Sequence, residues 1–482
     1  MRMYLQHFNF VVHCLFLWIL SFSALSKPFV TASSGYRTSL PERPPFVDSI
    51  TEMKNTNTTT PSRNGSADDN PQSGGGDSTS VPWTKVCLVG SGNWGSAIAT
   101  IVGKNCARLP YCDSRVNMWV YEEDVVTGPG GETDKLSHVI NQRHENVKYL
   151  PGIRLPENIV AVPDLATACQ DATLLIFVLP HQFLPKLLPI LRKHVHPTCR
   201  GISLIKGLGK SSSESGNRRI MLFCNDHCLI LFSLASDFDQ TNHRPVLISQ
   251  SIAQAMGSDT FSCGVLMGAN VADEVARGEF CESTLACQFG SHALNEATRA
   301  IFDSPETFRV QHCTDVAGAE VCGALKNVVA LGGGFVDGLG LGGNTKAALL
   351  RVGILEMMAF AQYFFDSVAT STFWQSCGMA DLITTCYGGR NRKCAEAFCK
   401  RRLVRIGAMN QQDCARQWAL IEKELLNGQK LQGTLTAKEV YEVLEGNQMN
   451  ESFPLFSTIY QIAFEGRPVT DIVKAIQIKS RL

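Results

Sequence analysis

The chain has no net charge, because lysine plus arginine equals aspartate plus glutamate at 44 each across 482 residues. No overall field gathers nucleic acid or an anionic membrane, so any anion must be bound locally. Near the start, the apolar residues 11–24 that follow Arg2 fall short of the roughly 20 residues of an ordinary membrane span. A zinc finger is excluded as well. Cys224, His227 and Cys228 imitate half of a zinc site, but no second ligand pair follows at finger-like spacing, and no metal is expected. From Lys27 to about Pro82 the chain has few residues able to build a core. It offers Ser, Thr, Asn, Pro and Gly instead, including Thr58-Thr59-Thr60 and Gly74-Gly75-Gly76, the composition of a disordered tail. Elsewhere the 44% hydrophobic content is ample, and the length suits two or three domains.

Order begins at Lys85-Val86-Cys87-Leu88-Val89, a short apolar run that ends in Gly90-Ser91-Gly92-Asn93-Trp94-Gly95 and leads into the helical stretch Ala97 to Val102. A second strand, Val116 to Tyr121, closes in Glu122-Glu123-Asp124. Apolar runs at Ile159 to Val162, Leu174 to Leu179 and Ile202 to Ile205 continue the alternation. The pattern predicts an α/β chain: a doubly wound parallel-sheet, Rossmann-like domain over residues 83–312. After Cys313 the strand signals stop. Helical stretches at Val316 to Leu331, Thr345 to Phe365, Cys394 to Lys400 and around Leu425 predict a mostly α-helical substrate domain over 313–482.

The spacing Gly90, Gly92, Gly95 between strand and helix is that of a dinucleotide cradle. The first glycine makes the turn, the second admits the pyrophosphate, and the third lets helix pack on strand. The helix-start amides then face the phosphates. Glu122 and Glu123 would accept from the adenosine ribose hydroxyls and repel a 2′-phosphate, which favours NAD over NADP. A hydride acceptor with a carbonyl also needs a proton donor, and a desolvated lysine can serve. Lys206 at a strand's C-terminal end and Lys326 inside an otherwise apolar helix fit, with a snorkelling surface lysine as the alternative. Asp381 could orient the ammonium. Arg390, beside Gly388-Gly389, offers a fork for phosphate or carboxylate, or else simply faces solvent. His181 reads as a wall of the cofactor cleft.

These segments, together with His144-Glu145-Asn146-Val147-Lys148-Tyr149-Leu150-Pro151-Gly152, Met267-Gly268-Ala269-Asn270, residues 322–330, residues 381–392 and Asn427-Gly428-Gln429-Lys430-Leu431-Gln432-Gly433, resemble the eukaryotic NAD-dependent glycerol-3-phosphate dehydrogenases. The resemblance runs from about Lys85 almost to the C-terminus. It implies that NADH reduces dihydroxyacetone phosphate to sn-glycerol 3-phosphate, and the reverse, in a homodimer. It places Gly90 to Gly95, Tyr121, Phe183, Ala272, Arg390, Lys430 and Gln432 at the cofactor. Lys326 takes the proton-transfer role, with Lys206, Asn270 and Asp381 in support, and Thr385, Arg390 and Asn391 hold the substrate phosphate. Two inserts depart from the pattern, at about 211–245 and about 401–418. The first follows Lys206, so a catalytically silent NAD-binding protein is one alternative, and a related two-domain hydroxyacid dehydrogenase is another.

Eighteen scattered cysteines, many within apolar runs, read as reduced thiols rather than a disulfide framework. Reduced thiols and a reduced cofactor pool place the enzyme in the cytoplasm. Ser480-Arg481-Leu482 raises a peroxisomal alternative, and Ala24-Leu25-Ser26 after the signal-like residues 1–26 raises secretion.

Overall fold

A computed structural model of the chain describes residues 81–128, 130–210, 244–405, 407–426 and 430–477. The signal-like stretch, most of the low-complexity tail, nearly all of the first insert (with Cys224, His227 and Cys228), Asn427-Gly428-Gln429 and the last three residues lie outside them.

Eight strands form the main sheet: β1 Val86–Val89, β2 Val116–Trp119, β3 Ile159–Val162, β4 Leu174–Phe177, β5 Arg200–Ser203, β6 Cys263–Met267, β7 Cys281–Ala286 and β8 Phe308–Cys313. Their order across the sheet is β3-β2-β1-β4-β5-β6-β7-β8. β3 through β6 run parallel to one another, β7 is antiparallel to β6, and β8 is parallel to β7. The order turns back at β1 and β4, so the crevice of this doubly wound sheet opens where β1 ends.

The central strands are mostly apolar because both faces are covered. Val86 and Leu88 pack with Ile98, Val102 and Met118 on one side, while Cys87 and Val89 pack with Leu175, Phe177 and Leu188 on the other. Two differences from the sequence reading have physical causes. β5 starts two residues earlier than its apolar run, at buried Arg200, whose guanidinium is satisfied by the Thr298 and Thr84 hydroxyls and the Thr173 carbonyl. β7 (Cys-Glu-Ser-Thr-Leu-Ala) and the alternating β8 carry polar residues and lack an apolar run.

Beyond β8 the chain is helical. Helix Val316–Gly338 is buried from Gly318 to Val336, ringed by helices Gly343–Phe364, Asp381–Gly388, Arg390–Leu403 and Gln432–Gly446. Its apolar circumference follows from burial on all sides. It crosses Arg390–Leu403 so closely that a Cβ on Gly334 would strike the Arg392 carbonyl. Two buried carboxylates tie elements together. Glu320 on this helix accepts from Ile248 N (2.6 Å) and Ser249 N (3.2 Å), and Glu356 accepts from Leu455 N (2.8 Å) and Phe456 N (2.9 Å). Each satisfies first-turn amides of another helix, groups that would otherwise be unpaired in the interior.

The second insert does not interrupt its neighbour. Helix Gln411–Leu426 runs through it and buries Cys414, Trp418 and Ile421, with the Trp418 ring stacked on Phe398 at 4.3 Å. All fifteen cysteines among the described residues are free thiols, most of them buried.

Candidate active site

The glycine turn leaves β1 with Gly90 at φ +121°, a conformation that disfavours a side chain, and a Cβ there would collide with the Val178 carbonyl. A Cβ on Gly95 would meet the Gly90 carbonyl, so this glycine permits helix Asn93–Arg108 to sit against the strand. At Gly92 a Cβ would meet nothing within 4 Å. The helix begins with no side-chain cap and no acidic residue in its first turn, which leaves its leading amides for an anion. These features fit a dinucleotide pyrophosphate.

The other residues expected at the cofactor come from several elements. Tyr121 (74% exposed) follows β2, and Phe183 (54% exposed) follows β4. Ala272 opens helix Ala272–Ala276, which Asp273 ties to the turn through Asn93 Nδ2 at 2.9 Å. Trp94 turns its ring onto Phe308, leaving its backbone to the turn. Glu122 and Glu123 are not idle carboxylates. Glu122 accepts from Ser137 N (3.1 Å) and Ser137 Oγ (2.6 Å), and Glu123 pairs with Lys148. Gln432 and His181 converge on Gly207: a Cβ there would lie 3.0 Å from Gln432 Nε2 and 3.6 Å from His181 Nδ1. Lys430 pairs with Glu422 at 2.8 Å, with its side chain largely exposed.

Lys206, Lys326 and Asp381 come from three separate segments and meet. Lys206 follows β5, Lys326 lies midway along Val316–Gly338, and Asp381 heads its helix. Lys326 Nζ donates to Asp381 Oδ1 and to Thr385 Oγ1 (2.7 Å), while Lys206 Nζ donates to Asp381 Oδ2 (2.9 Å) and the Gly268 carbonyl (3.1 Å). Thr385 stands one turn beyond Asp381 on the same helical face. Lys326 is 5% exposed and Asp381 2%. Burial pushes the Lys326 ammonium down to about 7; Asp381 pulls it back up and the Lys206 charge adds to the fall. An amine poised there can give or take a proton near neutrality.

Asn391 joins the far side, donating to Asn327 Oδ1 (2.8 Å) and accepting from Gly433 N (2.9 Å). Arg390 precedes it at the exposed start of its helix. Asn270 Nδ2 donates to the Glu282 carbonyl (2.9 Å) and its Oδ1 accepts from Ser283 Oγ (3.1 Å), so it shapes the turn whose Gly268 carbonyl holds Lys206. Lys206 makes both of its contacts a few residues before the first insert. The flanks of that insert form an antiparallel ribbon, Gly209 opposite Val246 and Lys210 opposite Pro245, which closes the excursion at its base. Ser96, Asn146 and Asp273, which hold the glycine turn, were missed by sequence reasoning. Asn146 lay within a motif quoted for resemblance, but a lone amide carries no periodic or charge signal.

Residues 85–293 match the N-terminus, and residues 315–474 the C-terminus, of NAD-dependent glycerol-3-phosphate dehydrogenase. The chain belongs to the NAD-dependent glycerol-3-phosphate dehydrogenase family. A cytoplasmic NAD(+) glycerol-3-phosphate dehydrogenase of Homo sapiens is 47% identical over 394 residues, which span 82% of this chain and 97% of that protein. A glycerol-3-phosphate dehydrogenase 1-like protein of Danio rerio is 47% identical over 397 residues, with the same coverage of 82% and 97%. The solved glycerol-3-phosphate dehydrogenase of Saccharomyces cerevisiae superposes with a TM-score of 0.67 at 40% identity, covering 82% of this chain and 100% of that one. As a glycerol-3-phosphate dehydrogenase, the chain is an oxidoreductase that acts on a CH–OH group with NAD.

Proposed function

We propose that Lys326 is the proton-transfer group of this glycerol-3-phosphate dehydrogenase, acting on the oxygen at C2 of dihydroxyacetone phosphate or sn-glycerol 3-phosphate. The meeting of Lys326 and Lys206 on one buried Asp381 carries this reading. Bound NADH supplies the hydride that reaches C2. Lys326 gives its proton to the alkoxide that would otherwise form there, and Lys206 offers a second positive charge to the same developing negative charge. Asp381 orients both ammonium groups. Asn270 supports this pair from the turn that holds Lys206, while Thr385, Arg390 and Asn391 hold the substrate phosphate, with the Arg390 fork suited to its oxygens. Gly90 to Gly95 cradle the pyrophosphate, with Tyr121, Phe183, Ala272, Arg390, Lys430 and Gln432 along the rest of the cofactor.

The cofactor-binding part extends to about residue 312 and the helical substrate part follows it. The working location is the cytoplasm, as in the human relative's name. An apolar groove lined by Leu350, Leu355, Met358, Trp374, Met379 and Ile383, with Leu355, Trp374 and Ile383 exposed, suits a second copy of the chain and supports a homodimer. The reaction is tested by following NADH oxidation at 340 nm with the full chain. Turnover is expected with dihydroxyacetone phosphate. Turnover restricted to 2-keto acids would overturn the substrate assignment.

A further inference from the structure

The cofactor turn is held from beneath by a segment that contacts neither the lysines nor the substrate side. Residues 144–155 form a closed loop: Glu145 bridges Arg154, Gly152 N donates to Glu145 Oε1 (2.7 Å) and Leu155 N donates to the His144 carbonyl (2.7 Å). Inside it, fully buried Asn146 engages both its amide hydrogens and its side-chain oxygen. Its Oδ1 accepts from Tyr149 N (3.1 Å), and its Nδ2 donates to the Ser91 carbonyl and to Ser96 Oγ, both at 2.8 Å. Ser96 Oγ donates to the same Ser91 carbonyl at 3.2 Å. The Tyr149 carbonyl then takes Asn93 Nδ2 at 2.9 Å, so the loop grips the turn on both sides of Gly92.

The consequence follows from peptide geometry. The Ser91 carbonyl and the Gly92 N–H belong to one planar trans unit and point in opposite directions. Two donors draw that carbonyl into the interior, which turns the Gly92 N–H outward, at a residue where an added Cβ would meet nothing within 4 Å. A flip of this peptide would strip Asn146 Nδ2 and Ser96 Oγ of their shared buried acceptor, so the carbonyl is held inward while both donors remain.

We propose that Asn146 is a positioning residue for NADH: through Ser91 it fixes the peptide whose N–H meets the pyrophosphate. This rests on reading the glycine turn as the pyrophosphate cradle. The test uses the full chain and three variants, with NADH Kd from its fluorescence, KM for NADH and for dihydroxyacetone phosphate, and the melting temperature of each protein. Asn146→Ala, which removes the main donor, is expected to raise the Kd and KM for NADH about tenfold while the KM for dihydroxyacetone phosphate stays within twofold. Ser96→Ala leaves Asn146 Nδ2 on the carbonyl and should raise the NADH Kd about threefold. It carries the test alone if Asn146→Ala does not fold. Gly92→Ala adds a methyl in open space and tests the cradle itself. If it binds NADH like the parent, the cradle reading fails. If Gly92→Ala weakens NADH but Asn146→Ala and Ser96→Ala do not, the role of Asn146 is overturned. So it is if their two KM values rise together with a lowered melting temperature.

Discussion

Asp381→Asn removes a charge while keeping shape, and it isolates what the carboxylate does for Lys326. Asp381 is the strongest of the groups that raise the Lys326 ammonium, holding it at about 7 against burial and the Lys206 charge. Two unit charges ~4 Å apart at an effective dielectric of ~20 interact by about 4 kcal/mol, and one pKa unit corresponds to about 1.4 kcal/mol. Losing that attraction should lower the ammonium by at least about one unit and at most about three. The sign is fixed: without the anion, the charged amine is less stable. At pH 7 the parent holds about half its Lys326 protonated, the variant less than about a tenth. Reduction of dihydroxyacetone phosphate needs the protonated amine, so kcat falls on the alkaline side of this titration. The assay is kcat against pH from 5.5 to 9 at saturating NADH. The alkaline limb should move to lower pH, with a loss of at least about fivefold at pH 7. A limb that stays put or moves to higher pH would mean that Asp381 does not raise the Lys326 ammonium.

Replacing residues 211–244 by Asn-Gly, a two-residue turn suited to the Gly209–Lys210 and Pro245–Val246 ribbon, should leave kcat/KM within about threefold, because the ribbon already closes the insert; a loss above tenfold would assign the insert a part in the cleft. Burial pushes the Glu356 carboxyl from 4.5 up to about 8 and Glu320 up to about 7. Both groups bind protons more tightly in the folded chain, so their stabilising effect is full below about pH 4.5 and is lost as pH rises through 7 to 8. Glu356→Gln should therefore flatten the decline of melting temperature between pH 5 and 8, and an unchanged slope would contradict it.

Much of this architecture was legible because burial leaves a signal in residue type. The strands β1, β3 and β4 are apolar on both faces, and Gly90 and Gly95 sit where any Cβ would collide with a carbonyl. Lys326 stood out as a charge inside an apolar helix, and the site shows why it is tolerated: Asp381 and Thr385 receive it. What was not legible depends on partners far apart in sequence. Arg200 interrupts an apolar strand yet is satisfied by Thr84 and Thr298, and β7 and β8 are too polar to show as runs. Glu122 and Glu123 have the right type and place for a ribose, but Ser137 and Lys148 already engage them, which no local pattern reveals. The second insert departs from the family pattern, and the helix that begins within it is held by Phe398 and Ala463, contacts that only the folded chain supplies.

If Lys326 moves the proton at C2, its loss must slow the chemistry without releasing NADH, and Lys326→Ala in the full chain measures both. Its kcat for NADH-dependent reduction of dihydroxyacetone phosphate should fall by about a hundredfold or more while NADH Kd stays at the parent value. A fall of less than about tenfold with NADH still bound would contradict the assignment.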